Sequence, residues 1–82
     1  MANSFTMASV SMNKQKLLRQ ILNNQNNVKF NDFVTIIESF GFSKARTDGS
    51  HNIFKNVFVS EIINIQNVNG EAKAYQIGQF FR

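Results

Sequence analysis

Arg46-Thr47-Asp48-Gly49-Ser50-His51-Asn52-Ile53-Phe54 is the stretch that decides the fold. Asp-Gly between two short alternating runs marks a β-hairpin, because a two-residue loop of that kind needs positive φ at both central positions. With Asp48 and Gly49 as the loop, Thr47 faces Ser50, Arg46 faces His51 and Ala45 faces Asn52 across the ladder. The reading thus sets a permanent cation beside the only histidine of the chain. Imidazole is the side chain that exchanges protons near neutral pH.

The hairpin predicts strands over about 43–47 and 50–56. A third strand follows at Glu61-Ile62-Ile63-Asn64-Ile65-Gln66, where β-branched and polar residues mix. Asn56 to Ser60 reads as a loop or a strand extension, and Asn67 to Glu71 as a turn. On this register Phe54 and Ser43 share one face, and Lys44, Arg46, His51 and Ile53 share the other. Phe54 needs burial more than Lys44 does, so the His51 face is the open one. Ile53 on that face predicts either an exposed apolar residue awaiting a partner or a bulge in the second strand.

Upstream, Leu17, Leu18, Ile21 and Leu22 form an apolar stripe that predicts a helix over 14–24. The run Asn23-Asn24-Gln25-Asn26-Asn27 ends it, since these side chains compete for backbone hydrogen bonds. Phe30, Phe33, Val34, Ile37 and Phe40 recur at helical spacing and predict a second helix over 30–40. Gly41 is its expected C′ residue, with Phe42 packing back on Ile37. Downstream, 72–81 opens a closing helix with Ala74, Ile77 and Phe81 on one face. Residues 1–12 lack sustained periodicity and are expected to form a disordered arm, with Met12 an alternative start. The rest, 13–82, is one small domain. The expected class is α+β: a three-stranded antiparallel sheet with helices on one face, in the order α-α-β-β-β-α.

Composition narrows the function. Nine Phe carry much of the apolar content, and each is worth roughly 1.5–3 kcal/mol when fully buried. With no Cys and a single His, neither a disulfide framework nor a tight transition-metal site is expected. Net charge is +4, which favours an anionic partner. No apolar run approaches the ~20 residues of a membrane span, and no secretory signal is visible. A cytoplasmic protein without membrane contact or small-molecule cofactor is expected.

Gly49-Ser50-His51-Asn52-Ile53-Phe54 is similar to the Gly-Ser-His-x-x-Phe signature of the HicA (YcfA-like) mRNA interferase toxins. Val28-Lys29-Phe30-Asn31-Asp32-Phe33 and Phe40-Gly41-Phe42 resemble the helix of that family and its Gly-Phe exit. Ile63-Asn64-Ile65-Gln66 and Gly70-Glu71-Ala72-Lys73-Ala74-Tyr75-Gln76 resemble the pattern of one branch. The resemblance covers about residues 14–82. Ala74 stands where the family has Pro, and Lys55-Asn56 where many members have His-Pro. What the resemblance implies is a fold like a double-stranded RNA-binding domain, mRNA cleavage with His51 as catalytic residue, and a HicB-like antitoxin protein that covers His51.

The residues fit such chemistry. RNA carries its own nucleophile in the 2′-hydroxyl, so one positioned general base suffices. Arg46, as the expected cross-strand neighbour, would hold the scissile phosphate and favour neutral His51. Lys44, Lys55 and Lys73 are candidates for backbone phosphates, contacts that position RNA without reading sequence. Ser50 is discounted as a nucleophile, because adjacent strand residues point to opposite faces. Two other readings keep the same fold: a non-catalytic RNA-binding module, and a protein-interaction domain using the open sheet face.

Overall fold

Helix α1 (Ala2–Asn23) and helix α2 (Phe30–Ser39) precede strands β1 (Phe42–Asp48), β2 (His51–Asn56), β3 (Ile62–Val68) and β4 (Glu71–Ala72), and helix α3 (Ala74–Phe80) closes the chain. This computed structural model describes the backbone of residues 2–82 and the side chains of residues 13–82. The class is α+β, with one four-stranded antiparallel sheet in the order β1-β2-β3-β4. Among the described residues, no helix is long and apolar enough to cross a membrane.

The backbone is helical from Ala2, whereas the sequence reading starts that helix at 14 and expects a disordered arm over 1–12. Residues 2–12 hold no Gly or Pro to interrupt a helix that continues into the apolar stripe; Met1 lies outside the described residues. Of the stripe, Ile21 is buried, Leu17 and Leu18 pack against the core, and Leu22 is half exposed. The Asn run ends the helix as expected, with Asn24 Oδ1 accepting from the Asn26 N–H at 3.0 Å.

Helix α2 buries Phe30, Phe33, Ile36 and Ile37. At its end the Gly41 N–H donates to Glu38 O at 3.0 Å, the C′-to-C2 bond of a Schellman ending. Phe42 and Ile37 then join one core with Phe54, Ile65 and Ile77. Phe80 knits the layers together. Its ring lies edge-on to Phe33 and Phe42, both at 5.7 Å between centroids, and to Phe81 at 5.0 Å. Edge-to-face pairs at these separations contribute beyond the area they bury.

The hairpin turns one residue later than the sequence suggests. Asp48 pairs with His51, Thr47 with Asn52 and Arg46 with Ile53, so the loop is Gly49-Ser50. Gly49 has φ +59° and Ser50 is not left-handed, which is the type II′ pattern of Gly at the first central position. Placing Asp48 in the loop would force a second residue into the left-handed region, at a steric cost that Gly does not bear. Arg46 is therefore not the partner of His51; Asp48 is.

A bulge lies in β1 rather than in β2, with Ala45 unpaired between Lys44 and Arg46. One extra residue reverses the alternation of faces along a strand. Above the bulge, Arg46 and Asp48 lie on the His51 face. Below it, Lys44 pairs with Phe54 and so lies on the core side, while Ser43 pairs with Lys55 and lies on the open side. Both placements reverse the expectation. Ile53 stays on the open face, half-buried.

The expected turn over 67–71 holds a second tight hairpin. Val68 pairs with Glu71, and Asn69 (φ +54°) and Gly70 (φ +87°) form its loop, the type I′ arrangement that favours Asn-Gly. The fourth strand is short, and the segment before α2 covers its far edge: the Ala72 N–H donates to Val28 O at 2.9 Å and the Phe30 N–H to Gly70 O at 2.8 Å.

Among the described residues, one polar side chain belongs to the core. Asn52, 6% exposed, donates to Ser50 O at 3.2 Å and Ile65 O at 3.4 Å and accepts from the Thr47 hydroxyl at 3.2 Å. It ties the turn to both neighbouring strands. Asn52→Ala removes three hydrogen bonds from a buried position and is expected to cost about 1–3 kcal/mol, read as a lower urea midpoint. An unchanged midpoint would show that water replaces these bonds freely.

Candidate functional site

Helices cover one face of the sheet, and His51 stands on the other at the first position of β2. The alternation of β2 fixes that position: Asn52 and Phe54 point inward and are buried, so His51, Ile53 and Lys55 point outward. Across the ladder His51 meets Gln66, and Ile53 meets Asn64. Both β3 amides therefore share the imidazole's face, alternating with Ile63 and Ile65, which pack inward with Phe54 and Asn52.

The two amides hold the ring between them. His51 Nδ1 lies 3.1 Å from Asn64 Oδ1. An amide oxygen can only accept, so Nδ1 carries the proton in this contact. His51 Nε2 lies 3.4 Å from Gln66 Nε2, and an amide nitrogen can only donate, so Nε2 keeps its lone pair. The result is one neutral tautomer, with Nδ1–H anchored and Nε2 basic. At 3.4 Å the Gln66 contact is long for a hydrogen bond and yields readily to a stronger donor. Gln66 is itself fixed from behind, its backbone N–H donating to Gln76 Oε1 at 2.9 Å. That bond joins the start of α3 to the imidazole. Beside it, a cleft of about 320 Å³ runs between β3 and α3, lined by Asn64, Gln76 and Gln79 together with Ile62, Ile63 and Phe80.

The cations sit at unequal distances from this centre. Arg46 is one step further along β1 than expected. It faces Ile53, which leaves it the diagonal neighbour of His51, about 7–8 Å away and within reach of a long side chain. Its Nε lies 3.8 Å from Asp48 Oδ2, with both side chains about 70% exposed; an ion pair so solvated holds weakly. Lys55 is exposed on the His51 face. Lys73 is the N-cap residue of α3, with Nζ 5.7 Å from the centroid of the Tyr75 ring. Lys44 lies on the opposite side of the sheet and does not join the site.

The signature residues divide by role. Gly49 and Ser50 form the turn and Phe54, 1% exposed, anchors β2 in the core. Ser50 thus sits in the loop rather than on the strand. Sequence reasoning passes over Asn64 and Gln66 as site residues, and takes Tyr75 and Gln76 to pack or hydrogen-bond at the start of the last helix rather than touch RNA; Gln76 does accept such a bond, from the Gln66 backbone N–H. The signal for the first two is the period-2 alternation of Ile63-Asn64-Ile65-Gln66, which puts both amides on the face opposite the isoleucines. Gln76 offers no such signal.

Among the described residues, no cluster of His, Asp or Glu is arranged to hold a metal ion. Comparison with family models, with curated proteins and with solved structures finds no match for this chain.

Proposed function

We propose that this protein is an endoribonuclease of the toxin type, cutting mRNA without a metal and held in check by a HicB-like antitoxin protein. The observation that carries the reading is the anchored imidazole on an open face of a basic protein, its Nε2 lone pair turned toward the only weak contact it makes. Similarity of the Gly49–Phe54 stretch and its flanking motifs to the HicA family supports the same chemistry.

In the mechanism, RNA displaces the Gln66 amide from Nε2. The 2′-hydroxyl gives its proton to Nε2 while its oxygen attacks the adjacent phosphorus, and the bond to the 5′-oxygen breaks. The leaving oxygen takes a proton from solvent, and the cut strand ends in a 2′,3′-cyclic phosphate. Nδ1–H, held by Asn64, keeps the ring oriented as positive charge forms on it. Arg46, Lys55 and Lys73 contact phosphates and fix the strand's register. Arg46→Ala is therefore expected to lower the slope of log affinity against log salt by about 1 while leaving the preferred cut sites unchanged. An unchanged slope would remove Arg46 from the phosphate path.

A protein partner on the same face finds support in the apolar side chains left there. On that face Ile53 is half-buried and Ile62 is largely exposed beside Lys55, while Val57, Phe58 and Val59 are exposed in the β2–β3 loop at the end of β2 away from His51. Action on messages places the protein in the cytoplasm.

The deciding experiment is cleavage of a defined single-stranded RNA in EDTA by the wild type and by His51→Ala. Cutting by the wild type alone, with both proteins folded by circular dichroism, supports the nuclease. If neither cuts while both bind RNA with steep salt dependence, the protein is a binding module.

A further inference from the structure

We propose that Tyr75, with Lys73 against its ring, is a stacking platform for one unpaired RNA base next to the cleavage centre; this rests on the reading of RNA as the substrate. Tyr75 is 58% exposed in the first turn of α3, although the same helix packs Ile77 and Phe80 into the core. An aromatic ring is a large apolar surface, and this one faces water. Lys73 lies over it at 5.7 Å, close enough for a cation–π contact. The ammonium covers one face of the ring and restrains it, so a base stacks on the other face with a positive charge close by.

Geometry ties the ring to the imidazole. The next residue, Gln76, bonds the backbone of Gln66, whose side chain touches His51 Nε2. Gln76 and Asn64, the residue that anchors Nδ1, line one cleft. A base on Tyr75 thus lies one residue along α3 from the Gln76–Gln66 link that reaches the catalytic ring. Every base has a π-face, so such a platform accepts any of the four. It accepts only bases that are out of a duplex, because paired bases are already stacked on both sides. The platform therefore selects single-stranded segments without reading sequence.

The chain has one Tyr and no Trp, so the fluorescence of the intact protein comes essentially from this ring. The test is titration with a fully 2′-O-methylated oligoribonucleotide, which lacks the nucleophile and is not cut. An abasic strand of equal length runs in parallel, and anisotropy of an end label reports binding of each. Tyrosine emission is expected to be quenched in step with binding of the base-containing strand and to stay constant with the abasic one. Tyr75→Ala is expected to weaken the base-containing strand roughly 5- to 150-fold, the equivalent of one lost stack, with abasic binding and thermal midpoint unchanged; Tyr75→Phe should restore binding. Binding without quenching, or equal affinity of Tyr75→Ala, overturns the platform and leaves the nuclease reading intact. Quenching by the base-containing strand with no cleavage of unmodified RNA overturns the nuclease alone, and absence of binding to either strand overturns both.

Discussion

His51→Gln is expected to cut single-stranded RNA about 10²–10⁴-fold more slowly than the wild type under single-turnover conditions, the usual contribution of one general base. Gln is the informative replacement because it keeps a polar side chain between Asn64 and Gln66 and removes only the basic lone pair. His51 lies on the open face, with Nδ1 bonded to Asn64 and Nε2 weakly to Gln66, so the exchange disturbs no core contact. The residual rate should match that of His51→Ala, since in both variants the 2′-hydroxyl has only water to take its proton. RNA affinity should change little if, as proposed, Arg46, Lys55 and Lys73 contact the phosphates. A variant that retains more than a tenth of the wild-type rate would remove His51 from the proton path. The same loss accompanied by a parallel loss of RNA binding would make the imidazole a binding group.

Much of this site is legible in the sequence, and the parts that are not have definite physical causes. Gly49 fixes a hairpin, but Asp48-Gly49 and Gly49-Ser50 are both acceptable two-residue loops. The choice between them moves each pairing by two residues. A shift by two preserves the face of every residue near the turn, which is why Arg46, His51 and Ile53 share a face on either register. It changes the neighbours, giving His51 a carboxylate across the ladder in place of a guanidinium. The bulge at Ala45 carries no composition of its own, and it alone moves Lys44 and Ser43 to the wrong sides. Asn69-Gly70 is a strong hairpin signal that escapes a reading of 67–71 as a plain turn, because the strand after it is only two residues long. The core was the easier part: Ile21, Phe30, Phe33, Ile37 and Ile77 lie on predicted helical stripes and are buried. Ile36 is buried as well and falls outside the predicted stripe, because the buried face of α2, made by Phe30, Phe33, Ile36 and Ile37, is turned toward Ile36 and away from Val34, which is only half-buried.

Phe33 shows how closely that core and the open face are linked. It is fully buried, edge-on to Phe80 at 5.7 Å and 6.4 Å from Phe81, and it lines the base of the cleft beside Asn64. Phe33→Ala leaves a void beneath β3 and is expected to cost about 3–5 kcal/mol. At 82 residues the whole domain is worth roughly 4–12 kcal/mol, so the substitution removes from about a quarter to all of its stability. Phe58→Ala is the matched control. It removes the same atoms from a ring that is 81% exposed and should move stability by no more than about 0.5 kcal/mol. Urea unfolding followed by circular dichroism separates the two. Equal midpoints would mean that the aromatic cluster around Phe80 does not hold the sheet against the helices. If Phe33→Ala alone collapses, β3 is held in place from the helix side. Asn64 and Gln66 then keep their positions on His51 because Ile65 between them is buried and Ile63 beside Asn64 packs against the core, and RNA cleavage should fall in proportion to the folded fraction.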